Sequence, residues 1–347
     1  MSETMKAAIF MEPGRMAVEE VPKARLETDT DAVVRMVRTC VCGSDLWYFR
    51  GLSPHERHAQ IGHEGIGVVE EVGSAVTSVK PGDFVILPFP YSCGVCPVCK
   101  AGFESVCPHG GYFGSNQAEY VRVPETDGTI VKIPGKPEDY DDATLASLLT
   151  ISDVMSTGYH AAASAEVKSG DTAVVMGDGA VGLCGVLSAK MRGAARIIAM
   201  SRHEDRAAVA REFGATDIVA ERDQAAIDKV LAMTGGYGAD AVLECVGSEQ
   251  SFDTAMGLVR AGGVIGRVGL PHYATISAEG TFGRNIGVKG GPAPVRHYDL
   301  HAGLLDAVLN HEINPGRVFT GEYDLDHIQE AYEDMDARKV IKSLIRF

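Results

Sequence analysis

The rhythm of apolar and polar residues changes near position 153. Before it, short β-type runs at 32–37, 65–72 and 84–87 are separated by glycine and proline clusters, with few helical periods between them. That pattern predicts a strand-rich, barrel-like unit. From Thr172 onward, strand-like runs at 173–176, 197–200, 241–244 and 264–268 alternate with helical stretches such as 204–213 and 250–260. Such alternation predicts an α/β unit built on a doubly wound parallel sheet. After Gly291 helical periods return at 300–310 and 327–335, and 340–345 reads as a closing strand. A tail this short is not a domain and is expected to pack back on the first unit. The expected boundaries are 1–155, 156–292 and 293–347, with the α/β unit inserted between two parts of one domain.

Composition narrows the classes of function. A chain of 347 residues exceeds one ordinary domain, in keeping with the two-part pattern. Lys and Arg number 32 against 47 Asp and Glu, a formal charge of −15. That balance argues against nucleic acid or an anionic membrane as a partner, and any anionic ligand must meet a local basic spot. No run of about 18 uncharged apolar residues occurs. The opening Met-Ser-Glu-Thr-Met-Lys lacks the basic flank and apolar core of a secretory signal, so a cytoplasmic location is expected. In a reducing compartment eight cysteines favour metal binding or catalysis over disulfides. Cys93, Cys96, Cys99 and Cys107 cluster, whereas Cys40, Cys42, Cys184 and Cys245 are scattered.

Residues 174–182 are an apolar strand running into G-x-G-x-x-G and then a helix. Gly177 permits the tight turn, Gly179 lets the backbone approach a diphosphate, and Gly182 lets helix and strand pack closely; Ala180 and Val181 open the helix whose N-terminus would hold the phosphates. Cofactor choice is read at the end of the next strand, where an acidic residue would bind the ribose hydroxyls of NAD. Here Met200 is followed by Ser201, Arg202 and His203, with no carboxylate among them. A hydroxyl, a guanidinium and an imidazole suit the 2′-phosphate of NADP, although NAD remains possible and Arg202 has the alternative of being a solvated helix-start residue. Gly247 and Gly269 are also expected to touch the cofactor.

The spacing Cys93-x2-Cys96-x2-Cys99-x7-Cys107 offers four thiolates from one short segment, enough to close a tetrahedral zinc site with no open position. Such a site is structural. An iron–sulfur cluster is the rival occupant, but residues 100–104 do not follow the ferredoxin pattern.

Taken in order, Cys42-Gly43-Ser44-Asp45, Gly62-His63-Glu64 with Gly67 and Gly73, the cysteine lobe and the glycine motif resemble the zinc-containing medium-chain alcohol dehydrogenases over essentially the whole chain. The resemblance implies a Rossmann unit beside a GroES-like catalytic domain, with the structural zinc lobe near 90–112. It also implies that Cys42 and His63 bind a catalytic zinc. The third ligand of the family is a cysteine or an aspartate, and the stretch around Asp153 is similar to the aspartate subgroup. Glu64 is then a supporting or exchangeable fourth ligand, and Ser44 the residue that passes the hydroxyl proton. Cys40 is an alternative to Cys42, because residues two apart on a strand share a face.

One departure is Trp47, which stands where many relatives carry the outer histidine of a proton relay. His55, His58 and the cofactor ribose are candidates to replace it. Trp47, Phe89, Tyr91 and Tyr112 either line the substrate cleft or pack as ordinary core and loop residues. Cys184 and Cys245 read as core. The resemblance thus implies two zinc ions and a small or medium alcohol, ketone or aldehyde as substrate, in a homo-oligomer that is a dimer or tetramer, and the residues at 201–203 add NADP as the expected cofactor. A zinc-free quinone or enoyl reductase of the same superfamily is the alternative within enzymes. A non-catalytic NADP(H)-binding redox sensor is the alternative from another class.

Overall fold

The computed structural model describes residues 3–272 and 275–347. The chain forms two units: Met1–Ser156 with Pro294–Phe347, and Thr157–Ala293. Among the described residues no helix is long and apolar enough to cross a membrane.

In the first unit the main sheet runs in the order Val131–Ile133, Phe84–Leu87, Gly65–Val72, Ala32–Cys40, Lys342–Arg346, Phe319–Asp324, and Tyr120–Val123 also pairs with Ala32–Cys40. These strands are rich in valine and isoleucine, which suit a pleated, packed surface. Val34, Met36, Val69, Val85, Leu87 and Val121 close one core beneath them. Ala32–Cys40 is central: register shifts after Val33 and Met36 bend it, and the strand delivers the chain at Cys40 into the turn that carries Cys42. The C-terminal strand pairs antiparallel with it, Leu344 opposite Cys40, so residues from the two ends of the chain lie next to one another.

Two details depart from the apolar pattern. Helix Asp142–Ile151, capped by the Asp141 side chain, lies in a region where few helical periods are visible. Eight of its ten residues are buried, so there is no polar face to generate a period. The expected helix at 300–310 is two helices, Val295–His301 and Leu304–Leu309, broken where Gly303 adopts a positive φ of 71°.

The second unit is a six-stranded, wholly parallel sheet in the order Asp217–Val219, Arg196–Met200, Thr172–Met176, Ala239–Glu244, Val259–Arg267, Gly287–Gly290. This is the doubly wound Rossmann order, with the reversal beside the first strand of the unit. Val174, Ile198, Val242 and Ile265 are fully buried in its core. Helix Glu249–Leu258 ends earlier than the apolar pattern suggests, because the next strand begins at once with Val259.

Candidate functional site

Cys42, His63, Glu64 and Asp153 offer ligand atoms within 4.8 Å of one another. Cys42 sits in the turn between strand Ala32–Cys40 and helix Asp45–Phe49; His63 and Glu64 directly precede strand Gly65–Val72; Asp153 directly precedes helix Val154–Ser164. His63 Nε2 is 3.4 Å from Asp153 Oδ2, and Cys42 Sγ is 3.7 Å from the same oxygen. Bonds of 2.0–2.3 Å in a tetrahedral zinc site place neighbouring ligand atoms about 3.3–3.8 Å apart. The donors therefore fit a zinc ion in both chemistry and spacing. Cys40 ends its strand fully buried and is not one of the four.

Supporting contacts hold these groups. Asp45 accepts the Cys42 backbone N–H at 2.9 Å through Oδ2, and its Oδ1 lies 3.5 Å from His63 Nδ1. Gln117 Nε2 donates to the Cys40 carbonyl at 3.0 Å, and Tyr332 O–H donates to Gln117 Oε1 at 3.0 Å. Gly62, with φ +96°, lets Gln117 approach: a Cβ there would lie 2.5 Å from Gln117 Cγ. Lys342, 1% exposed, donates to Glu64 Oε1 at 2.7 Å and to the Val41 carbonyl at 3.1 Å. Glu64 Oε2 is buried with no partner among the described residues, an acceptor that a bound cation would satisfy.

The electrostatics follow from this crowding. Burial pushes the Cys42 thiol up, against the pull of His63 and Lys342. Burial alone would lower the His63 imidazole, but the Cys42 sulfur and the Asp45 carboxylate outweigh it and hold it well above its ordinary value. Burial also raises the Glu64 carboxyl, opposed by Lys342.

Ser44 is the N-cap residue of helix Asp45–Phe49, half-buried, and its side chain makes no capping hydrogen bond. Phe89 presents its ring edge-on to His63 at 6.3 Å between centroids and stacks on Tyr112 at 5.9 Å. Tyr91 packs edge-on to Phe113. Trp47 is half-buried on the same short helix. His55 packs against Tyr48 and Phe10, with Nε2 3.3 Å from the Gln60 carbonyl, and His58 is exposed with φ +61°.

Cys93, Cys96, Cys99 and Cys107 form a second group within 4.8 Å. The Cys96–Cys99, Cys96–Cys107 and Cys93–Cys107 sulfur separations are 3.5, 3.8 and 3.6 Å. A disulfide would require about 2.05 Å, whereas four sulfurs at 2.3 Å from one zinc stand about 3.8 Å apart. Helix Pro97–Lys100 begins at Cys96, whose sulfur accepts the Cys99 N–H, and the His109 N–H points at Cys107. The Cys99 amide draws the Cys96 thiol down to about 6, and burial pushes Cys99 up to about 12.

In the second unit Gly177 has φ +101°, Gly179 caps helix Ala180–Met191, which starts with Ala180 and Val181, and a Cβ on Gly182 would lie 1.9 Å from the Gly177 carbonyl oxygen. Gly247 and Gly269 pack backbone to backbone: a Cβ on Gly269 would lie 2.2 Å from Gly247 N. The buried Glu244 carboxylate holds this turn by accepting the N–H groups of Val246 and Gly247 and the Ser251 hydroxyl, each at 2.8 Å. Ser201 is buried and its hydroxyl donates to Asp178 Oδ2 at 2.8 Å, Arg202 is exposed, and His203 caps helix Glu204–Phe213. A carboxylate therefore does stand at the end of the second strand of the unit; it comes from the glycine loop. Cys184 lies buried in helix Ala180–Met191, and Cys245 directly follows strand Ala239–Glu244.

Sequence reasoning does not single out Lys342, Gln117, Tyr332, Glu244, Asp178 or Arg206. Only Lys342 leaves a signal, as a lysine inside an apolar closing strand.

A family model described as "Zinc-binding dehydrogenase" matches residues 180–292, and one described as "Alcohol dehydrogenase GroES-like domain" matches residues 28–135. Zinc-type alcohol dehydrogenase B of Aspergillus flavus is 36% identical, over 99% of this chain and 81% of its own length. NADP-dependent isopropanol dehydrogenase of Clostridium beijerinckii is 33% identical, over 87% of this chain and 88% of its own. Among solved structures, an alcohol dehydrogenase from Thermus sp. ATN1 matches with a TM-score of 0.89 at 30% identity, covering 99% of both chains.

Proposed function

This chain belongs to the zinc-containing medium-chain alcohol dehydrogenase family, and from that premise we propose that it is an NADP-preferring dehydrogenase of small to medium alcohols that also reduces the corresponding ketones or aldehydes. The observation that carries the reading is the convergence of Cys42, His63 and Asp153, with Glu64, at one point. Thiolate, imidazole and carboxylate together are a donor set that leaves zinc a position for substrate. Zinc held there supplies a Lewis acid that lowers the pKa of an alcohol or polarises a carbonyl, and the nicotinamide exchanges the hydride.

The protein's own groups take the remaining tasks. Asp45 holds His63 at Nδ1, so Nε2 is the nitrogen left for the ion. From its place in the turn after Cys42, Ser44 would pass the hydroxyl proton of the alcohol on, its oxygen taking that proton as its own leaves to water or the cofactor ribose. Phe89, edge-on to His63, supplies an apolar wall. The four thiolates of the cysteine lobe hold a second, structural zinc. Arg202, the lack of an acidic residue at 201–203, and the NADP-dependent isopropanol dehydrogenase among the relatives support the choice of NADP. Four cysteines grouped at metal-ligand spacing suit a reducing cytoplasm, where thiols are kept for metal. Exposed Leu270, Ile276 and Phe282 supply apolar surface for a homo-oligomer, dimer or tetramer.

Initial rates over a panel of alcohols, ketones and aldehydes with NADP(H) and NAD(H) test this reading. The expected result is turnover that prefers NADP(H) and disappears in a folded Cys42→Ala variant. Turnover retained by that variant would overturn it.

A further inference from the structure

Three strands of the second unit end side by side, Thr172–Met176, Arg196–Met200 and Asp217–Val219. A charged or polar residue follows each: Asp178 after the first, Ser201 and Arg202 after the second, Arg222 after the third. The Ser201 N–H donates to the Val219 carbonyl at 3.0 Å, which ties the second and third strand ends together. Asp178 is the carboxylate that the end of the second strand lacks in sequence, and each of its oxygens faces a group of the protein. Its Oδ2 accepts the Ser201 hydroxyl at 2.8 Å, its Oδ1 lies 3.6 Å from Arg206 Nη1, and that same nitrogen is 3.3 Å from its carbonyl oxygen. Arg206, in the first turn of Glu204–Phe213, is buried, so solvent screens this pairing little.

Arg202 and Arg222 are arranged differently. Neither has a carboxylate partner among the described residues; Arg222 Nη1 donates to the carbonyls of Ala220 and Glu221 at 3.2 and 2.9 Å. Burial and the like charge of Arg202 hold the Arg222 guanidinium below its usual range, against the weaker opposing pull of the Asp178 and Asp223 carboxylates. In a chain with a formal charge of −15, two neighbouring arginines that make no close ion pair among the described residues form a local basic spot where an anion can bind.

We propose that this arrangement sets cofactor choice: Arg206 and Ser201 occupy the Asp178 carboxylate, which would otherwise receive a ribose hydroxyl, and Arg222 joins Arg202 in binding the 2′-phosphate. The proposal rests on the NADP reading and goes past it by naming Arg206 and Arg222. A free carboxylate accepts ribose hydroxyls and repels phosphate, whereas one paired with a guanidinium and already accepting a hydroxyl does both more weakly. Two guanidinium groups match a phosphate through charge-assisted hydrogen bonds. Ser201 then acts through Asp178 instead of on the phosphate.

The test is calorimetric binding of 2′,5′-ADP and 5′-AMP to the full chain, a readout independent of turnover. Wild type is expected to favour 2′,5′-ADP by about tenfold or more, Arg222→Gln to lose most of that ratio, and Arg206→Gln to narrow it by about tenfold until Asp178→Asn is added and restores it. A wild-type ratio near one overturns the NADP reading itself. A high wild-type ratio that Arg206→Gln and Arg222→Gln both leave intact overturns this assignment alone. Should Arg206→Gln fail to fold, Arg222→Gln, on a half-buried loop position, decides by the same ratio.

Discussion

The cysteine lobe draws its four sulfurs from residues 93–107, whereas the Cys42 cluster gathers residues 42, 63, 64 and 153 and depends on side chains at 45, 117, 332 and 342. The lobe is chemically uniform, and its supporting bonds are local backbone N–H groups aimed at sulfur. The cluster mixes sulfur, nitrogen and oxygen, and one buried carboxylate oxygen in it has no partner among the described residues. A closed set of identical ligands holds structure together. A mixed set with side-chain support can keep a coordination position for chemistry. Both lie in the same unit but share no residue, so substitutions in one should separate from substitutions in the other.

The largest expected effect is at the cluster. Cys42→Ala or Asp153→Ala should lower kcat by about a thousandfold or more while the melting temperature moves little, measured by steady-state rates and calorimetry. Equal loss of stability and activity would break the contrast. Next is the lobe. Cys99→Ser should release one zinc and lower the melting temperature by several degrees, leaving kcat per folded molecule nearly unchanged. A loss of kcat without destabilisation would reverse the roles assigned to the two sites. Asp45→Asn is intermediate: it keeps the shape but weakens the hold on His63, and should reduce zinc affinity or activity by about 10- to 100-fold, read by chelator competition.

The smallest effect comes from a buried carboxyl outside both centres. Asp299 donates nothing to either cluster; Ser156 Oγ is 3.1 Å from its Oδ1, and burial raises its pKa well above the usual carboxylate value. The folded state then holds a proton that the unfolded chain releases above about pH 4. Stability therefore falls as pH rises from the unfolded pKa through the folded one. Asp299→Asn should remove that slope, so it should be more stable than wild type at neutral pH and equal to it near pH 4 in melting curves. An advantage that grows toward acid would contradict the sign.

Legibility in the sequence follows the same local-versus-distant divide. The lobe is readable from spacing because all four of its cysteines share one segment, and the glycine motif is readable because strand, turn and helix are consecutive. The chemistry of Cys42, His63 and Asp153 is readable only through resemblance, since nothing local joins residues 42 and 153. Lys342 meets Glu64 across 278 positions, and Tyr332 meets Gln117 across 215, distances that only the sheet pairing of the C-terminal strand closes. Asp178 escapes for another reason: the acid at the end of the second strand arrives from the first loop, outside the segment where such a residue is sought. Helix Asp142–Ile151 escapes because it is buried on nearly all sides.

The proposed division of labour makes one centre closed and structural and the other open and catalytic, each built around its own zinc. Zinc content by plasma mass spectrometry separates the two. Wild type should carry about two zinc per chain, and Cys42→Ala and Cys99→Ser about one each, with turnover surviving only in the second variant. About one zinc in wild type, unchanged by Cys42→Ala, would contradict it.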